Sequence, residues 1–192
     1  MAKQQATGRL RIVAGIWRSR VLEIADVPGL RPSAERIRET LFNWLAPRID
    51  GARCLDLFAG TGALGLEALS RGAATAVFVE KSPKALEVLR RNIDSLAAAG
   101  ASIQATDAVS YLQAAEPGKF DFVFLDPPFA DDSLAELCRL IDERELLANA
   151  ANVYLEQDRA RAEPELPDGW SILKNNTAGN VRYMLVAIGH RN

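Results

Sequence analysis

The sequence predicts an α/β fold in which helices cover both faces of a doubly wound, mostly parallel sheet. Three observations lead there. Short apolar runs alternate with helical patterns, from Cys54-Leu55-Asp56-Leu57-Phe58 to Asp121-Phe122-Val123-Phe124-Leu125. The first of these runs passes directly into Ala59-Gly60-Thr61-Gly62-Ala63-Leu64-Gly65, a glycine turn that opens a helix. The ends of successive runs carry Asp56, Glu80, Asp107 and Asp126, the positions outside the strands where ligands of such sheets bind.

Taken in order, the stretch from Arg9 to Ile24 alternates apolar and polar residues around Gly15 and Ser19 and predicts a small β-hairpin with Trp17 near its turn. That ring either packs or stacks on a base. Val27-Pro28-Gly29-Leu30-Arg31-Pro32 is a breaker-rich linker, and Ser33 suits the N-cap of the next helix. That helix has Ile37, Leu41, Trp44 and Leu45 on one face and Arg36, Glu39 and Asn43 on the other. Pro47 ends it, and Asp50-Gly51 turns the chain into the central strand. The helix from about Ala63 closes at Gly72, and Ala76-Val77-Phe78-Val79 forms a second buried strand. Ser82-Pro83 begin a long helix bearing Leu86, Leu89, Ile93 and Leu96, which Gly100 stops. Residues 102–106 read as a third strand, followed by a helix to about Ala115, and residues 121–125 read as a fourth. Beyond lie a helix over roughly 132–146, a strand near Val153-Tyr154-Leu155-Glu156, and a terminal antiparallel hairpin around Gly179-Asn180.

A chain of 192 residues, 48% of them hydrophobic, holds one well-buried domain and a modest extension. No apolar run approaches the ~18 residues that span a bilayer, and the N-terminus lacks a signal peptide's apolar block, so a cytoplasmic protein with no membrane partner is expected. Cys54 and Cys138 lack zinc-ligand spacing, and the single histidine, His190, is nearly terminal. Metal chemistry and a histidine base are therefore not expected. Lys3, Arg9, Arg11, Arg18 and Arg20 all precede the first acid, Glu23, in a chain of net charge −2. A basic arm on an acidic body is either a phosphate-binding feature or a solvated terminus.

The glycine turn lets the backbone approach a ligand closely, and Gly65 permits tight packing of helix on strand. Its Gly60-x-Gly62-x-x-Gly65 spacing also fits dinucleotide binding. Asp56 argues otherwise, because a carboxylate there is awkward beside a pyrophosphate but suits an ammonium or sulfonium cation; the alternative is a cap on loop N–H groups. Glu80 stands close to the ~20-residue interval at which nucleotide-binding folds place an acid on ribose hydroxyls. Asp107 accepts either an adenine amino group or its own helix's N–H groups. Asp126-Pro127-Pro128-Phe129 is the most specific signal. A purine's exocyclic amine is a poor nucleophile, and the Asp126 carboxylate with the Pro127 carbonyl can hold its two hydrogens while Phe129 stacks on the base.

With these motifs the chain from about Cys54 to Ile188 resembles the class I S-adenosylmethionine-dependent methyltransferases, and Asp-Pro-Pro-Phe resembles their amino-methylating subgroup. Arg11-Ile12-Val13-Ala14-Gly15-Ile16-Trp17-Arg18, Arg31-Pro32-Ser33 and Arg36-Ile37-Arg38-Glu39-Thr40-Leu41-Phe42-Asn43 are similar to the bacterial 16S rRNA guanine-N2 methyltransferases of the RsmD family. Ser33 stands where threonine is expected. The resemblance implies a Rossmann-like seven-stranded sheet with an antiparallel last strand. It also implies an RNA-binding extension over residues 1–50 and a methyltransferase domain over 51–192. The implied cofactor is S-adenosylmethionine, on Asp56, Phe58, Ala59, Gly60, Thr61, Gly62, Glu80, Lys81, Asp107 and Ala108. Asp126, Pro127, Pro128 and Phe129 form the implied amine site. Arg11, Trp17, Arg18, Arg31, Ser33, Arg36, Arg38 and Asn43 form the implied RNA face. The implied substrate is a guanine amine of 16S rRNA in an assembled or assembling small subunit, acted on by a monomer. Competing readings are a DNA or RNA adenine-N6 methyltransferase, a nicotinamide-dependent oxidoreductase, and a non-catalytic RNA-binding module. Carbon methylation is disfavoured because neither cysteine has a nucleophile's setting.

Overall fold

The computed structural model describes residues 9–25, 34–116, 120–128 and 131–189. A two-stranded antiparallel hairpin, β1 (Arg9–Arg11) and β2 (Val21–Glu23), precedes α1 (Glu35–Leu45). Then β3 (Arg53–Asp56), α2 (Ala63–Ser70), β4 (Thr75–Val79), α3 (Pro83–Leu96), β5 (Ala101–Gln104), α4 (Ala108–Ala114) and β6 (Phe120–Leu125) alternate strictly. The chain closes with α5 (Leu134–Glu143), β7 (Leu147–Asp158), β8 (Ser171–Ala178) and β9 (Val181–Ala187).

The seven strands β3 to β9 form one sheet in the order β5-β4-β3-β6-β7-β9-β8. The first five neighbours pair in parallel, and β9 runs antiparallel between β7 and β8, as expected of the last strand. The chain walks outward from β3 to β5 and then returns to lay β6 on the other side of β3. The order therefore reverses between β3 and β6, which is where a parallel sheet opens a crevice for ligands.

Two apolar layers flank the sheet because its strands alternate between two buried faces. Cys54, Phe78, Phe122, Phe124, Tyr154 and Tyr183 pack with Ile37, Leu41 and Phe42 of α1, Leu66 and Leu69 of α2, and Leu10, Ile12 and Leu22 of the hairpin. Leu55, Val123, Leu125, Val153, Leu155 and Val186 pack on the other side with Leu112 of α4 and Leu137 and Ile141 of α5. The hairpin and α1 thus share a core with the sheet.

Several boundaries differ from expectation. Ala97, at φ 49°, ends α3, so Gly100 is not its stop; a Cβ on Gly100 would come within 2.5 Å of the Ala74 carbonyl oxygen, and its task is close approach. The α5 helix is shorter than residues 132–146, and β7 starts well before Val153, with a register shift against β6 between Phe120 and Phe122. At the start of α1 the N-cap position falls to Ala34, which makes no side-chain capping bond. Ser33, like the linker through Arg31 and Pro32, lies outside the described residues, as do Phe129 and His190.

Candidate active site

Both signature loops stand at the carboxyl ends of adjacent central strands, β3 and β6, on either side of the point where strand order reverses. The Leu57 N–H donates to the Phe124 carbonyl at 3.1 Å, which ties the start of the glycine turn to the strand that delivers Asp126.

The turn itself is held from three sides. Gly62, at φ 92°, sits in left-handed backbone at the N-cap of α2, and a Cβ on Gly65 would lie 2.3 Å from the Phe78 ring, so the helix packs on β4 only with glycine there. Ala59 N–H donates to the Val79 carbonyl at 3.0 Å. Ala59, Gly60, Thr61 and Gly62 are buried and Phe58 is half-buried. Glu80 accepts the Gly60 N–H at 2.9 Å and the Ser82 N–H at 2.7 Å; it is half-buried, and its carboxylate keeps further lone pairs for hydroxyl donors. Lys81 beside it is exposed.

Asp56 is 2% exposed and accepts the Gly65 N–H at 3.0 Å. Of the two roles open to it, loop capping is present in the structure. Burial nevertheless pushes its carboxyl up to about 7, against hydrogen bonds from Gly65 and Phe58 that favour the charged form. A buried acid short of compensating charge beside a glycine turn fits a ligand that brings positive charge. Asp107 is exposed and accepts the Ser110 N–H at 2.9 Å, so it caps α4, and hydrogen bonds from the Ser110 side chain and backbone hold its carboxyl below its ordinary range; Ala108 follows, buried.

At the end of β6 the half-buried Asp126 leads into a buried Pro127 and an exposed Pro128. Both prolines line a shallow surface depression together with Glu156, Gln157, Asp158 and Arg161. Cys54 and Cys138 are buried free thiols, and burial pushes Cys138 up to about 12 and Cys54 higher still, so neither is a nucleophile.

The expected RNA face needs one correction. Arg38 has no exposed side-chain surface: Nη2 donates to the Arg11 carbonyl at 2.7 Å and Nη1 lies 3.5 Å from Glu67. It cannot meet RNA, because it is the inner cation of a buried cluster in which Glu67 also accepts Arg71 Nε at 2.8 Å and the Val13 and Ala14 N–H groups at 2.8 and 3.0 Å. Trp17 is half-buried against the core, and its backbone N–H donates to Ser70 Oγ at 3.0 Å. Ser70 ends α2, so this turn stands at the amino ends of the strands, opposite the two signature loops, and of the two roles open to Trp17 packing is the one present in the structure. Arg18 is exposed at that same far end, while Arg11, Arg36 and Asn43 are exposed.

The sequence reading missed Glu67, Asn92 and the pair Tyr154–Glu156. Asn92 Nδ2 donates to the carbonyls of Thr61 and Glu23 at 2.9 and 3.0 Å, and its Oδ1 accepts the Glu23 N–H at 3.0 Å, joining the glycine turn to the hairpin. Its signal was present: it follows Leu89 by three residues on the apolar stripe of α3. Tyr154 donates its hydroxyl to Glu156 at 2.7 Å, both side chains being buried.

A glycine turn and an Asp-Pro-Pro loop at the carboxyl ends of neighbouring strands, at the switch point of this seven-stranded sheet, place the protein among the Rossmann-like methyltransferases. The family model described as Conserved hypothetical protein 95 matches residues 10–187. Ribosomal RNA small subunit methyltransferase D of Escherichia coli (strain K12) is 44% identical over 179 residues, 93% of this chain and 90% of that protein. Its namesake in Haemophilus influenzae is 39% identical over 184 residues, 94% of each. The solved structure of yhhF from Escherichia coli superimposes with a TM-score of 0.88 at 41% identity, over 95% of this chain and 99% of that one. The chain belongs to the ribosomal RNA small subunit methyltransferase D family.

Proposed function

We propose that the protein methylates the exocyclic N2 amine of a guanine in small-subunit rRNA, with S-adenosylmethionine as methyl donor. The observation that carries this reading is the placement of Asp126-Pro127-Pro128 beside the glycine turn at the β3/β6 switch point. Family membership leaves the oxidoreductase reading without support.

The donor supplies an electrophilic methyl group on a sulfonium. Glu80 and the turn over residues 58–62 fit its nucleoside end, and Asp56 supplies the negative field that a cation requires. The amine's lone pair is delocalised into the purine ring. The Asp126 carboxylate and the Pro127 carbonyl, each accepting one amine hydrogen, favour a pyramidal nitrogen whose lone pair can attack. Proline rings fix φ at both residues, so the carbonyl is aimed before the base arrives. With the donor bound, the nitrogen lone pair would form the bond to the methyl carbon as the sulfur–methyl bond breaks with its pair left on sulfur, and the methylated nitrogen would pass its extra proton to solvent water. In this reading Phe129 stacks on the base, and Arg11, Arg31, Ser33, Arg36 and Asn43 contribute to RNA contact.

The test is to incubate labelled S-adenosylmethionine with undermethylated small subunits and with free rRNA, then identify the nucleoside by mass spectrometry. N2-methylguanosine is expected; N6-methyladenosine overturns the choice of base. Asp126→Asn keeps a neutral acceptor and retains measurable activity, whereas Asp126→Ala loses on the order of 10²–10³ in rate, as when one preorganised polar group is deleted. Alanine activity close to wild type overturns the role of Asp126.

A further inference from the structure

Between the Asp-Pro-Pro loop and α5 the chain is gripped by an arginine that the mechanism above does not use. Arg161 follows β7, and its Nη1 donates to the Asp131 carbonyl at 2.8 Å and pairs with the Asp132 carboxylate at 3.0 Å. Asp131 in turn donates its N–H to the Pro128 carbonyl at 2.8 Å. A chain of hydrogen bonds therefore leads from the guanidinium back to the second proline of the loop. Pro127, Pro128, Asp131, Asp132 and Arg161 line the same shallow depression, so the grip lies beside the residues it reaches.

The anchor is itself fixed. The Arg161 N–H donates to the Asp158 carbonyl at 3.1 Å, closing a turn on the end of β7, and Asp158 accepts the Ala160 N–H at 2.8 Å. The buried Gln157 donates Nε2 to the Ala162 carbonyl at 2.8 Å, which holds the chain on the other side of Arg161. Arg159 donates its N–H to the Asn180 carbonyl at 2.8 Å and Nη1 to the Gly179 carbonyl at 3.1 Å, fastening this turn to the β8–β9 connection. The guanidinium thus reaches out from a frame made by the far half of the sheet.

Proline rings fix φ at residues 127 and 128 but leave ψ free, and ψ decides where each carbonyl points. A loop of this kind keeps one direction only if its downstream end is held. We infer that Arg161 is a positioning residue for methyl transfer: by holding Asp131 and Asp132 it fixes the carboxyl side of the loop and keeps the Pro127 carbonyl aimed at the amine. This inference rests on the reading of Asp-Pro-Pro as the amine site. Magnitudes favour a role in geometry over one in stability. The Asp132 side chain is 94% exposed, so water screens the ion pair and its contribution to folding is small. A reacting group displaced by ~1 Å, in contrast, costs up to ~10²-fold in rate.

The experiment measures methyl transfer to small subunits, melting temperature and the salt dependence of RNA affinity in Arg161→Ala, Arg161→Lys and Asp132→Asn. Arg161→Ala is expected to lower kcat by about 10–10²-fold with KM for S-adenosylmethionine unchanged. Its melting temperature is expected to stay within about 2 °C of wild type, as for the loss of an exposed pair. Lysine can still donate to the Asp131 carbonyl, so Arg161→Lys is expected to recover most of the rate. Asp132→Asn keeps that backbone contact and is expected to stay within a few-fold of wild type. A kcat in Arg161→Ala equal to wild type overturns the inference. So does a kept kcat with weaker subunit binding and a salt slope lower by about one unit, which would make Arg161 a phosphate contact. A large fall in melting temperature that accounts for the lost activity would make it a strut and also overturns the inference. The amine-site reading fails separately, on Asp126→Ala activity close to wild type, whatever Arg161→Ala does.

Discussion

At the scale of single residues, Asp56 makes the most distinctive prediction, because its burial and its neighbours oppose each other. With its carboxyl held up to about 7, the folded state keeps a proton that the unfolded chain releases near 3.8. The contribution of this group to stability is therefore greatest in acid and declines as pH rises from 3.8 toward about 7, the reverse of a salt-bridged aspartate. A cationic ligand changes the balance by favouring the charged carboxylate. S-adenosylmethionine affinity is expected to increase as pH passes upward through about 7, with release of up to one proton on binding near that pH. Calorimetry in buffers of different ionisation enthalpy measures that proton directly. Asp56→Asn preserves an acceptor for the Gly65 N–H and is expected to abolish both the proton release and the decline in stability. Wild-type binding without proton release would show that Asp56 does not sense the cofactor.

At the scale of elements, the glycine turn depends on a polar residue of α3 that touches no ligand. Asn92 satisfies the Thr61 carbonyl and both backbone groups of Glu23, so Asn92→Ala leaves buried groups unpaired and is expected to lower stability by on the order of 2 kcal/mol. If the tie also positions the turn, the KM for S-adenosylmethionine rises several-fold while kcat at saturation is kept; a stability loss with unchanged KM would make Asn92 a strut only. Elements of this kind show what local pattern conveys. The central strands of the sheet were legible because burial on both faces leaves near-continuous apolar runs, and the glycine and Asp-Pro-Pro loops because their backbone chemistry is local. Element ends were less so. Ala97 closes α3 in left-handed backbone that no alanine advertises, and the first half of β7 is masked by a register shift. Arg38 was misread because Ile37, Leu41 and Leu45 already complete a stripe, whereas the buried face also takes in Phe42, four residues beyond Arg38. Its partner Glu67 lies on a helix buried on every side, and only the fold brings the two together.

At the scale of the whole molecule, that buried cluster fixes how the basic extension sits on the sheet domain. Glu67 holds the Val13 and Ala14 backbone, Arg38 and Arg71, and Arg71 also covers the Phe42 ring at 5.1 Å, so hairpin, α1 and α2 are joined through one carboxylate. In the proposed reading the extension presents its exposed arginines as a fixed surface, and affinity for RNA is expected to come mainly from phosphate contacts and counterion release. This separates two arginines on the same helix. Arg36 is exposed, and Arg36→Glu is expected to reduce the slope of log affinity against log salt by about one unit while cofactor binding and melting temperature stay near wild type. Arg38 is enclosed, and Arg38→Met leaves Glu67 with one cation fewer in a dry site, lowering stability by on the order of 3 kcal/mol. Its salt slope, measured by filter binding at a temperature where the variant is folded, is expected to remain that of the wild type. A flattened slope in Arg38→Met with undiminished stability would mean that α1 detaches from the core to bind RNA, and that the extension is not the rigid surface described above.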